Sequence, residues 1–114
     1  MTKIIEGDLI MESDMTFKEN LIVKGNIFGK NGKKFNLEVK GNLEGHNLTC
    51  LDLKCHNLDC LDLECENLDC MNLSYFAVAI AYKSFKCNSV KGKRKNSKHF
   101  CLDSEIEITG EKNE

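Results

Sequence analysis

Residues 42–75 read Asn42-Leu-Glu-Gly-His, Asn47-Leu-Thr-Cys-Leu, Asp52-Leu-Lys-Cys-His, Asn57-Leu-Asp-Cys-Leu, Asp62-Leu-Glu-Cys-Glu, Asn67-Leu-Asp-Cys-Met and Asn72-Leu-Ser-Tyr. A leucine recurs every fifth residue, and from Cys50 to Cys70 a cysteine follows it by two. Strand side chains alternate with period two, so each Leu-x-Cys places two apolar groups on one face and the polar residue between them on the other. A helix is excluded, because leucines five apart advance about 500° and form no stripe. Such a short fixed period belongs to a chain that coils and stacks on itself.

The inward ladder expected from this pattern is Leu48, Cys50, Leu53, Cys55, Leu58, Cys60, Leu63, Cys65, Leu68 and Cys70. Asn47, Asp52, Asn57, Asp62, Asn67 and Asn72 share one corner slot, where their side chains can bond local backbone or stack into ladders. The last slot alternates polar and apolar through His46, Leu51, His56, Leu61, Glu66 and Met71. That alternation favours a four-sided coil of about 20 residues, with three sides as the alternative. The expected fold is all-β, a single right-handed parallel β-helix.

One domain over residues 1–114 is expected, in three parts. Residues 5–45 carry a looser motif at Ile5-Glu6-Gly7-Asp8-Leu9, Val23-Lys24-Gly25-Asn26-Ile27 and Val39-Lys40-Gly41-Asn42-Leu43, with Gly and Asn or Asp suited to left-handed corners. Residues 43–75 hold the pentads. Residues 76–109 form closing strands interrupted by a basic loop, 91–99, with Lys91, Lys93, Arg94, Lys95 and Lys98. Phe85 and Phe100 fall in apolar slots, and residues 110–114 read as a frayed end.

Composition narrows the function. Apolar residues make up 41% and charged residues 30%, within the soluble range, and no apolar run approaches the roughly 20 residues of a membrane span. The first residues lack a secretory h-region, which points to the cytoplasm and no membrane partner. The net charge of −2 hides an asymmetry. Residues 43–75 hold seven acids against Lys54 alone, and residues 83–98 hold seven bases and no acid. The seven cysteines read as reduced core thiols, since sequence neighbours in the array are too far apart to pair.

Candidate sites are few. The cysteine array could take a soft metal, but it lacks converging C-x₂₋₄-C knuckles. His46, His56 and Glu66 share a slot and are the candidate metal ligands, with solvent-exposed corners as the simpler reading. No nucleophile motif or phosphate-cradling loop is present, so neither an enzyme nor a cofactor is expected. The basic loop could meet phosphates, but no aromatic platform accompanies it, and a nucleic-acid partner is not expected.

The Asn/Asp-Leu pairs resemble pentapeptide-repeat proteins, although here the small residue follows Leu by two. The pentads and the ending Ser74-Tyr75-Phe76-Ala77-Val78 … Asn96-Ser97-Lys98-His99-Phe100-Cys101-Leu102-Asp103 are similar to uncharacterised bacterial and phage proteins with Asn-Ile-x-Ala-x pentads. The Gly-Asn/Asp motifs also resemble bactofilins, which are polymer-forming. These resemblances imply a β-solenoid and, through the first family, an acidic face that imitates nucleic acid toward a protein partner. The function expected first is a structural protein forming homo-oligomers; acidic mimicry and thiol or soft-metal binding follow.

Overall fold

The computed structural model describes residues 2–109. Its strands in chain order are β1 (Thr2–Ile5), β2 (Leu9–Met11), β3 (Met15–Phe17), β4 (Asn20–Val23), β5 (Ile27–Gly29), β6 (Leu37–Val39) and β7 (Leu43–Glu44). They continue as β8 (Asn47–Thr49), β9 (Asp52–Lys54), β10 (Asn57–Asp69), β11 (Asn72–Cys87), β12 (Ser89–Gly92), β13 (Lys98–Cys101) and β14 (Ile106–Ile108). All pairings are parallel, and they stack the chain into an all-β solenoid of about 6 turns.

The register shows three faces. Lys3, Leu21, Leu43, Leu58, Leu73 and Val90 line up on the first face. Leu9, Ile27, Leu48, Leu63, Ala79 and His99 line up on the second. Met15, Leu37, Leu53, Leu68, Phe85 and Ile106 line up on the third. In the pentad region equivalent residues are 15 apart, so three pentads close one coil. The four-sided, 20-residue expectation is therefore wrong. It assumed that like residues must stack in the last pentad slot, but those residues sit on corners facing outward. Leu61 (41% exposed) stacks on His46 and Met71 (52% exposed) on His56, and neither mismatch touches the core.

The inward assignment of the pentads holds throughout. All ten residues from Leu48 to Cys70 in the Leu and Cys slots are buried, and no polar or charged residue is buried among those described. Each buried leucine contributes on the order of 1.5–3 kcal/mol. The next coil keeps its cross-section by exchange: Tyr75 and Phe85 replace smaller residues, while Ala79 and Ala81 replace larger ones on the second face. β11 also gains a residue at the corner after Tyr75, shown by the register shift between Cys60 and Asp62. After β11 the closing part holds three short strands, β12, β13 and β14, and the basic segment is a loop only between β12 and β13, with Lys91 and Lys98 inside those strands. The expected frayed end lies outside the described residues.

The corner asparagines and aspartates form ladders along the three edges. Asn20 Oδ1 accepts the Asn42 N–H, and Asn42 Oδ1 accepts the Asn57 N–H. The same ladder continues through the Asn72 amide to Asn57 and the Ser89 hydroxyl to Asn72. A second runs through Asp14, Asn36, Asp52, Asn67 and Ser84, and a third through Asp8, Asn26 and Asn47. The ladders also explain the Gly-Asn/Asp motif. Only Gly7 of its three glycines has positive φ; at Gly25 and Gly41 a Cβ would lie 2.3 Å from Asp8 Oδ1 and Asn20 Oδ1. Those glycines make room for the accepting side chain, not for a left-handed corner. The third motif also turns a different corner, from the third face back to the first.

Because the acceptor oxygen carries this contact, Asn42→Ala is expected to lower unfolding free energy by about 1 kcal/mol. Asn42→Asp, which keeps the oxygen, should lose less. Urea denaturation of both variants checks the ranking.

Candidate functional site

The cysteines occupy the interior. Six of the seven are buried, Cys101 is half-buried, and all are free thiols. Cys50, Cys55 and Cys60 belong to adjacent faces, and the closest sulfur contact described joins neighbouring coils, Cys70 Sγ to Cys87 Sγ at 3.3 Å. Burial pushes the Cys50 thiol up to about 12 and moves Cys55, Cys60 and Cys65 in the same direction. Cys70 rises first through its hydrogen bond to Cys87, then through burial. Thiols held protonated in this way are poor nucleophiles and poor metal ligands.

His46, His56 and Glu66 lie at three different corners and are not brought together. Leu61, Met71 and Glu66 donate backbone N–H groups to the carbonyls of His46, His56 and Leu51 respectively. Among the described residues no group of three or more His, Cys, Asp or Glu side chains is placed to hold a metal ion.

The acids of the pentads ring the solenoid. Asp59 projects from the first face, Glu64 from the second and Asp69 from the third, with Asp62 and Glu66 at the corners between. Cations meet several of them: Lys93 Nζ lies 2.6 Å from Asp59, Lys83 3.4 Å from Glu66 and Lys34 3.5 Å from Glu64. On the third face Glu38, Lys54, Asp69, Lys86 and Glu107 follow one another in register with alternating sign. A shallow groove of about 400 Å³ runs over Lys54, Asp69, Lys86 and Glu107. The continuous acidic surface that nucleic-acid imitation requires is not formed by these five carboxylates.

Two clusters escaped the sequence reading. His99, which shows no companion in sequence, takes an inward slot over Ala79, with Nδ1 2.7 Å from the Tyr75 hydroxyl and its ring edge-on to Tyr75. Burial lowers its pKa and raises that of Tyr75. Phe100, expected in an apolar slot, points outward from the second face and is 40% exposed, because β13 takes its phase from β11. The Leu-x-Cys rule could have given that phase, since Cys101 marks the inward slot. The second cluster joins Lys34, Glu64 and Tyr82; the Tyr82 hydroxyl donates to Glu64 at 2.5 Å, and Lys34 Nζ lies 5.5 Å from the Tyr82 ring centroid. The bond to Glu64, ahead of desolvation, raises the Tyr82 pKa.

What the coils leave exposed is their ends. Among the described residues β1, β2 and β3 pair on one side only, as do β12, β13 and β14. The first coil carries five acids (Glu6, Asp8, Glu12, Asp14, Glu19) and two lysines. The last has five bases, Lys91, Lys93, Arg94, Lys95 and Lys98, and three acids. No helix among the described residues is long and apolar enough to cross a membrane. No family model, curated protein or solved structure matches the chain.

At neutral pH a thiol reagent is expected to label Cys101 first and the six buried cysteines only on unfolding; rapid labelling of several would contradict the core assignment. The raised thiol pKa values stabilise the fold below the unfolded thiol pKa of about 8.5. That contribution is lost as pH rises from there toward about 12 at Cys50, where the unfolded chain binds fewer protons than the folded one. Denaturation midpoints should therefore fall through this window, and less steeply in Cys50→Ala.

Proposed function

We propose that this chain is a non-enzymatic, cytoplasmic structural protein that self-associates through the edges of its terminal coils. The observation carrying this reading is the pair of unpaired three-strand edges among the described residues, one at each end of the stack. A parallel edge offers a full row of backbone donors and acceptors to another chain. The inward side chains at one end include Leu9, Met11, Met15 and Phe17, and at the other Val90, Cys101, Ile106 and Ile108. Ile4 and Ile10 beside the first edge and Phe100 beside the last are exposed.

Within the inward column of the first face a charge opposes the contact. Lys3 occupies the inward slot above Leu21, and an inward charge is a common device for blunting an edge. Association is therefore expected to be concentration-dependent. Sedimentation velocity across a dilution series tests the reading: mass should rise with concentration, and a monomer throughout would overturn it. Replacing Lys3 with Leu exchanges a charge for an apolar rung worth about 1.5–3 kcal/mol, so assembly should begin at a concentration lower by roughly tenfold to a hundredfold.

A further inference from the structure

We infer that the self-association is head-to-tail, with the last coil of one copy seated on the first coil of a second copy. This rests on the proposed function and adds its polarity. Three observations set the direction.

The ends differ in net charge. Acids outnumber bases in the first coil and bases outnumber acids in the last. Either symmetric contact, first coil to first or last to last, brings like net charge together. Head-to-tail joins opposite charge, which favours both encounter and register.

The charges also meet along one edge. Glu6 and Asp8 turn the corner between β1 and β2, while Arg94 and Lys95 lie in the loop that turns the equivalent corner between β12 and β13. Lys98 pairs with Val78, which donates its N–H to Asp62 in the Asp8 column. A second copy continuing the parallel register places its Asp8 next to Lys98. Lys93 is engaged with Asp59, so the remaining bases supply the attraction.

The apolar surface continues in the same register. The outward column of the second face ends in exposed Ile10 at one end and exposed Phe100 at the other, and stacking joins them. The next edge opposes the contact, with Glu12 and Asp14 meeting Asp103 and Glu105, which keeps association reversible. A head-to-tail contact that continues the parallel stack along one axis does not close on itself, so the product is a filament rather than a dimer or a ring.

The test uses the full chain with Glu6→Lys, with Arg94→Glu and Lys95→Glu together at the corner that faces it, and with the two variant proteins mixed in equal amounts. Circular dichroism and thermal midpoints confirm folding, and sedimentation velocity reads assembly. Each variant alone should need at least about tenfold more protein to assemble, corresponding to about 1.4 kcal/mol. The mixture should assemble at the wild-type concentration, because every junction in an alternating filament is then complementary. Sensitivity to the Arg94 and Lys95 reversals alone would show a last-to-last contact and overturn the polarity. Sensitivity to Glu6→Lys alone would show a first-to-first contact and overturn it equally. Assembly indifferent to both would place the interface on the sides. Failure of the wild-type chain to assemble would instead remove the proposed function beneath it.

Discussion

Every coil must present the same triangle of backbone hydrogen bonds to its neighbours, about 4.8 Å away. The rest of the structure follows from that constraint. A coil with a larger interior would spread its strands beyond the reach of the coils on either side. Repeated Leu-x-Cys meets the condition by making each side alike. Where the repeat ends, Tyr75 and Phe85 fit because Ala79 and Ala81 withdraw volume from the remaining side. The glycines at 25 and 41 answer a related demand at the edges, where a ladder side chain from the previous coil fills the space of a Cβ.

Much of this was legible in the chain. Period-two alternation gave the inward residues of the pentads, and the asparagine slot indicated ladders, because both are local consequences of extended backbone. The number of faces was not legible. It depends on how sharply each corner turns, and the alternating residue used to infer it projects into solvent. The phase of β13 was also lost, since the loop before it resets the count and only pairing with β11 restores it. His99 thus seemed solitary in sequence, although folding places it against Tyr75, 24 residues earlier.

Charge shows the difference between sequence and space most clearly. Along the chain the acids and bases fall in separate blocks. Coiling layers those blocks on one another, so Lys54, Asp69 and Lys86 become neighbours on one face and Lys93 reaches Asp59 across 34 residues. Exposed pairs of this kind contribute little individually, in the range of about 0–1 kcal/mol. Their collective effect is to prevent an acidic face and to leave the charge imbalance at the two ends.

The edge ladders have a direction in time as well as in space. In each of them the accepting oxygen belongs to the earlier residue: Asp8 waits for Asn26, Asp14 for Asn36, Asn20 for Asn42, and the rule extends to Ser84 and Ser89. A chain synthesised from its N-terminus thus has each acceptor in place before the matching donor emerges. Each coil thus carries on its edges the acceptors that the coil after it will use.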